Sequence, residues 1–260
     1  MSWVSQPPRA VYAAAAEALA ERVVRALGGA DDAFRLAEQL GAADETAGLA
    51  AVRVLGPDAL APYIVGASRF TAEDADVVAA AFAAFPAHDP EPIIAASERT
   101  AAPSVPALRD WATARLLHRL GVGPDAGHSA PADAAWAGWT ELGLAWPAWA
   151  GRLTQLAPLA TPGLDSPVHE QARRRSLDTA RGVTRAVLRR DHLSAARLVR
   201  WLAALPALVV PARTSLVATV MEPEPVLRHL ELLGGADRRL HLEIALARAA
   251  MREVPRRTPR

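Results

Sequence analysis

The chain lacks three residue types altogether. None of its 260 residues is cysteine, lysine or asparagine. Without cysteine there is no disulfide, no thiolate metal site and no cysteine nucleophile. Without lysine there is no Schiff-base chemistry and no lysine-dependent phosphate-binding loop. Arginine must therefore carry every basic role except those open to histidine.

Aromatic residues and long apolar runs are also scarce. Aromatic residues make up 5% of the chain. The longest uncharged apolar runs, 77–87 and 202–212, are about eleven residues long, which is too short to span a bilayer. The N-terminal segment has no basic region followed by an apolar stretch. We therefore expect a cytoplasmic protein without membrane contacts.

The composition that remains is typical of a helical protein. Hydrophobic residues make up 51%, alanine, leucine and arginine are abundant, and no convincing alternating run predicts a strand. Thr71 and Asp74 form a capping-box pattern, and Pro223 with Glu224 suits a first helical turn. The fold class is predicted to be all-α. The main predicted helices cover residues 31–40, 43–55, 71–85, 104–120, 166–190, 192–204, 223–233 and 236–253.

Several uncommon residue blocks recur at an offset of 133 residues. The matched blocks include Asp89–Ile94 with Glu222–Leu227, Val54–Leu55 with Val187–Leu188, and Arg119 with Arg252. Recurrence at a fixed offset predicts two related helical units, so we expect residues 38–120 and 170–253 to superpose.

The seam between these units is predicted at a Gly- and Pro-rich stretch. Residues 1–120 would form helical unit 1, residues 121–131 the linker, residues 132–254 helical unit 2, and residues 255–260 a disordered tail. Short helices joined by Gly and Pro turns resemble, in general character, a helical-repeat body of the HEAT-like or α-solenoid-like kind.

Charge is distributed unevenly between the two predicted units. Residues 1–120 contain ten arginines and fifteen acidic residues, whereas residues 121–260 contain nineteen and thirteen. Arg181, Arg185 and Arg189 lie four apart and should share one side of a helix, with Arg197 and Arg200 following. Such an arginine face could dock an acidic protein or contact nucleic-acid phosphates. A solvated face partly neutralised by nearby acids would have the same pattern.

Four of the 7 tryptophans cluster within fourteen residues. Trp136 and Trp139 form one i, i+3 pair, and Trp146 and Trp149 form another, so each pair should share a helix face. Buried tryptophans pack cores, and partly buried ones line interfaces and ligand pockets. The cluster therefore predicts either core packing where the units join, or an interface or ligand pocket.

No motif for catalysis or metal binding is complete. The segment from His169 to Arg173 matches a zinc-protease helix only in its first two letters, because Arg173 replaces the second histidine ligand. The acids Asp31 and Asp32 stand at a predicted helix start, where carboxylates are expected. We predict no cofactor, no metal and no catalytic residue.

The leading hypothesis is a non-catalytic helical binding, scaffold or accessory protein that acts through protein–protein contacts. One alternative is a nucleic-acid-binding protein that uses the arginine face. A second alternative is a small-molecule enzyme with a pocket between the two units, near the tryptophan cluster.

Overall fold

The structure is a computed structural model. It describes residues 9–30, 34–39, 44–86, 104–122, 133–140, 143–205 and 221–253. The predicted tail and residues 123–131 of the predicted linker lie outside these ranges.

Every regular element in the described ranges is a helix, so the predicted all-α class is confirmed. The α-helices are α1 (Arg9–Leu27), α2 (Glu45–Leu55), α3 (Ala61–Ile64), α4 (Ala72–Ala84), α5 (Val105–Arg119), α6 (Asp133–Thr140), α7 (Trp146–Gln155), α8 (Pro167–Arg174), α9 (Ser176–Leu188), α10 (His192–Ala204), α11 (Pro223–Leu233) and α12 (Arg238–Glu253). Short 3₁₀ helices occur at Ala37–Gln39, Gly56–Leu60 and Ala157–Leu159.

The start of α4 confirms the predicted capping box. The Thr71 hydroxyl accepts from the Asp74 amide, and the Asp74 carboxylate accepts from the Thr71 amide. That carboxylate is fully buried and also accepts from the amide of Ala37, at 3.1 Å. The local cap therefore also holds the preceding segment against α4.

Two helix predictions differ from the structure. The helix predicted over 166–190 is two helices, α8 and α9, which meet at Arg175. The Arg175 guanidinium binds Asp178 and the carbonyl of Leu144, contacts made with a distant loop as well as with its own helix. Of the helix predicted over 31–40, residues 34–39 are described, and the only helical element among them is the 3₁₀ turn Ala37–Gln39. Residues 31–33 and 40 lie outside the described ranges.

One continuous hydrophobic core joins helices from both predicted units. Helix α10 packs on α9, α11 and α12, and α12 packs in turn on α1. The first and last helices therefore touch, which brings the two ends of the described chain together.

A buried arginine lies where the two predicted units meet. Arg200 on α10 has no solvent exposure. Its guanidinium binds Asp58 at 2.6 Å and Glu243 at 3.1 Å, and it also donates to the Thr161 hydroxyl and the Ala160 carbonyl. Burial alone would lower the pKa of Arg200, but the two carboxylates raise it above its ordinary value. This buried ion network links the 3₁₀ turn at Gly56–Leu60 to α10 and α12.

His169 on α8 is buried and neutral. One ring nitrogen lies 2.8 Å from the Ser166 hydroxyl and the other 3.1 Å from the Leu159 carbonyl, and the ring packs edge-on against Trp201. A carbonyl only accepts, so Nε2 carries the proton and Nδ1 accepts from Ser166. Burial lowers the pKa of His169 to about 4. The histidine is therefore built into the core, which fits the incomplete zinc motif.

Replacing Arg200 with methionine should destabilise the protein by about 3–5 kcal/mol, because Asp58 would remain buried without its ion-pair partner and Glu243 would keep only Arg197. Urea unfolding measures this loss. Arg174→Met, at a site that is 65% exposed, should change stability little. Asp58→Ala should lower the free energy of unfolding less in the Arg200→Met variant than in the wild type. Additive effects of the two substitutions would refute the coupling.

Stability should depend on pH through His169. The folded pKa lies below the ordinary value of 6.5, so the unfolded chain binds more protons between about pH 4 and 6.5. The neutral ring therefore makes its full contribution to the free energy of unfolding above pH 6.5. That contribution is lost as the pH falls from about 6.5 to about 4. At pH 5 the protein should be about 2 kcal/mol less stable than at pH 8 on this account. His169→Gln should remove this part of the slope, and His192→Gln should retain it.

Candidate functional site: an arginine and tryptophan groove on helix α9

An open groove of about 510 Å³ lies along the exposed side of α9. We call it the α9 groove. It is lined by Trp146, Arg181, Thr184, Arg185, Leu188 and Arg189. The three arginines that the sequence places four residues apart thus lie together on one helix face, beside one of the clustered tryptophans.

Close packing of α7 against α9 positions the groove. A Cβ atom on Gly182 would lie 2.6 Å from Cβ of Ala150 and 3.1 Å from a methyl group of Leu198. Only glycine allows this approach without displacement of a neighbour. On the same interface the Trp149 ring lies under the Arg175 guanidinium, 5.0 Å from the ring centre. The start of α7, and with it Trp146, is consequently fixed beside the exposed face of α9.

Two of the groove arginines are held in place by neighbours. The Arg185 guanidinium lies 5.6 Å from the centre of the Trp146 ring, within cation–π range. Arg181 forms an i, i+3 ion pair with Asp178, at 3.3 Å. These contacts restrict the conformations of both side chains.

The C-terminus of α9 adds another exposed arginine. The amide of Arg190 donates to the Val187 carbonyl and that of Asp191 to the Ala186 carbonyl, which is the hydrogen-bond pattern of a Schellman motif. Arg190 adopts φ of 58°, a conformation that glycine usually supplies at this position. Arg189 and Arg190 are both exposed at this end of the helix.

The charge of the α9 groove is not balanced locally. Among the described residues, neither Arg185 nor Arg189 has a carboxylate within ion-pair distance. The arginines on α8 differ, because Arg173 and Arg174 both bind Glu170 and their hydrogen bonds lower the pKa of that carboxyl. The excess positive charge of this region is therefore concentrated at the groove.

The other two predicted binding arginines lie elsewhere. Arg200 is the buried centre of the ion network, and Arg197 binds Glu243 at 3.0 Å with a third of its side chain exposed. Both lie on the face of α10 that packs against α12, where they bind Glu243, and neither lines the α9 groove. The sequence shows that Arg200 is charged, but it does not show that Asp58 and Glu243 bind it in the core.

The tryptophan cluster is divided between the core and the surface. Trp136 and Trp149 are buried, and Trp136 packs edge-on against Trp111 of α5, with ring centres 5.2 Å apart. Trp139 is half-buried against the core, and Trp146 is half-buried at the α9 groove. The groove that contains Trp146 is formed by α7 and α9, both from the second predicted unit.

Two exposed leucines on α9 were not identified from the sequence. Leu177 is 52% exposed and Leu188 is 79% exposed. They lie eleven residues apart, which is close to three helical turns, so they share a face with Arg181 and Thr184. The spacing of these four residues, 4, 3 and 4, is a signal that could have indicated a second helix-packing face. The sequence alone does not show which apolar face of α9 the core covers.

A second cavity of about 510 Å³ lies between α1 and α12. Its polar side includes Arg248, which binds both Glu224 and Glu231. The hydrogen bonds that Arg248 donates to these two carboxylates raise its pKa. Arg248 is therefore already paired within the protein, unlike Arg185 and Arg189 in the α9 groove.

Neither a metal site nor a membrane span is found in the described ranges. No group of three or more histidine, aspartate or glutamate side chains is arranged to hold a metal ion there. No helix of this part of the chain combines the length and apolar character that crossing a bilayer requires.

The double substitution Arg185→Gln and Arg189→Gln should leave the protein folded and lower the free energy of unfolding by about 1 kcal/mol at most, mainly through loss of the contact with Trp146. Urea unfolding measures the change. Arg69→Gln with Arg239→Gln removes the same charge at exposed positions away from the groove and should have a smaller effect. A loss above about 3 kcal/mol would assign the groove arginines a role in stability.

A comparison of the chain with protein-family models, with curated proteins and with solved structures finds no match.

Proposed function

We propose that this protein is a non-catalytic binding or accessory protein that docks an acidic partner protein through the α9 groove. The observation that carries the proposal is the uncompensated charge of Arg185 and Arg189 beside an apolar floor. Complementary charge accelerates association and selects the partner, while apolar contact supplies affinity.

The composition favours an acidic protein over nucleic acid. The whole chain carries a net charge of only +1, whereas domains that bind nucleic acid usually have a larger positive excess. The Trp146 ring is covered by Arg185, so a nucleobase would have to displace the guanidinium to stack there. An acidic peptide can bind the same guanidinium without moving it.

The groove itself does not favour the enzyme alternative. Its lining consists of three arginines, one tryptophan, one threonine and one leucine, with no histidine or carboxylate to transfer a proton. It also lies on the surface of one predicted unit and not in an enclosed space between two units.

We further propose that the two halves arose by duplication. Helices α2 and α9 end at Leu55 and Leu188, and α5 and α12 begin at Val105 and Arg238, each pair separated by 133 residues. The contact between the first and last helices favours a closed pair of units over an open solenoid-like array.

Reciprocal contacts support the duplication. Arg119, at the end of α5, donates to the carbonyl of Pro162 at 3.0 Å, and Arg252, near the end of α12, donates to the carbonyl of Leu27 at 2.9 Å. In each case the last helix of one half binds a carbonyl at or just after the end of a helix of the other half: Leu27 is the last residue of α1, and Pro162 follows the 3₁₀ helix Ala157–Leu159. A two-fold arrangement of related units would produce such a pair of contacts.

Affinity capture with the full chain tests the proposed function. Nuclease-treated extract of the native host is passed over wild-type protein, and bound proteins are identified by mass spectrometry. An acidic protein should bind the wild type, should be reduced at least about tenfold on the Arg185→Gln and Arg189→Gln variant, and should be retained on the Arg69→Gln and Arg239→Gln variant.

The same variants test whether the partner is a nucleic acid and not an acidic protein. A 20-nucleotide single strand and a 20-base-pair duplex are titrated against each protein at several salt concentrations. Tight binding whose logarithm falls steeply with the logarithm of salt, and which the groove variant loses, would contradict docking of an acidic protein.

A further inference from the structure

We propose that the occupant of the α9 groove is an acidic amphipathic helix, which packs lengthwise along α9 with apolar side chains on Leu177 and Leu188. The inference rests on the proposed function, because it names the kind of segment that the acidic partner would insert.

The exposed face of α9 has the pattern of a helix-packing seam. Leu177, Arg181, Thr184 and Leu188 follow one another at spacings of 4, 3 and 4 residues. This spacing keeps side chains on one side of a helix and recurs where two helices pack side by side. On the opposite side α9 packs against α7 and α10. α9 therefore has one packed face and one face with helix-packing spacing that remains exposed.

The seam carries the two large apolar side chains of α9 that are exposed to solvent. The two leucines at its ends, 52% and 79% exposed, lie about 16 Å apart along the helix axis. Between them the Thr184 hydroxyl donates to the carbonyl of Ala180, so it requires no acceptor from a partner. A partner helix of about three turns would cover this length.

Charge selects an acidic helix from the helices that could pack here. Arg185 and Arg189 lie along one edge of the seam, and Arg181 lies on it. A second copy packed through the same face would bring these arginines close to their own counterparts, which is unfavourable. A helix with glutamates spaced four apart beside its leucines would instead meet each arginine with a carboxylate.

Three synthetic peptides of about 20 residues test the inference against the full chain. The first is a helix with leucines at 4-3-4 spacing and flanking glutamates. The second has the same glutamates with serine in place of leucine, and the third has the same leucines with glutamine in place of glutamate. Fluorescence anisotropy with a terminal label measures affinity, and circular dichroism confirms comparable helix content.

The first peptide should bind at least about tenfold more tightly than either of the others, since loss of two buried leucines or of the charge pairs removes more than about 1.4 kcal/mol. Leu177→Ser with Leu188→Ser should weaken its binding by at least about tenfold. Leu232→Ser with Leu233→Ser, which changes two other exposed leucines at 80% and 52% exposure, should leave it within about twofold.

Other outcomes would overturn the inference. Equal binding of the serine peptide would leave acidic docking intact but remove the helix seam. Failure of all three peptides, with an acidic protein still captured through Arg185 and Arg189, would do the same. Concentration-dependent dimers that Leu177→Ser with Leu188→Ser abolishes would make a second copy the occupant. Nucleic-acid binding lost in the arginine variant would overturn the inference and the proposed function together.

Discussion

Burial of the Arg200 guanidinium constrains the whole architecture. A charged group without solvent exposure is tolerated only when carboxylates and other acceptors surround it. Arg200 obtains them from Asp58, about 140 residues earlier in the chain, and from Glu243 on the last helix. These residues must converge before the network is satisfied, so α10, α12 and the turn after α2 are fixed relative to one another. A pair of independent helical units could not provide this.

The α9 groove depends on that arrangement indirectly. Helix α10 is anchored through Arg200, α9 packs on α10, and α7 packs on α9 where Gly182 permits close approach. This order of packing leaves the face with Leu177, the three arginines and Leu188 turned toward solvent. Apolar and basic groups on this helix therefore share one exposed surface whose position is fixed by the packing beneath it.

Arginine occupies two different environments in this protein, one buried among carboxylates and one exposed on α9. Arg200 and Arg197 share Glu243 and stabilise the interior, whereas Arg185 and Arg189 have no acidic partner within the described part of the chain. In a chain without lysine, arginine must supply both kinds of group. Its planar guanidinium suits both, because it binds carboxylates in a defined geometry and can also lie over an aromatic ring, as Arg185 does over Trp146.

The sequence by itself determined the features that depend on neighbouring residues. The all-helical class, the capping box at Thr71, the start of α11 at Pro223 and the common face of Arg181, Arg185 and Arg189 all follow from short-range spacing and backbone chemistry. Tertiary structure decided which groups are buried. It enclosed Arg200 and His169, separated Trp146 from Trp149 and left Leu188 exposed, because burial depends on residues that are distant in the chain.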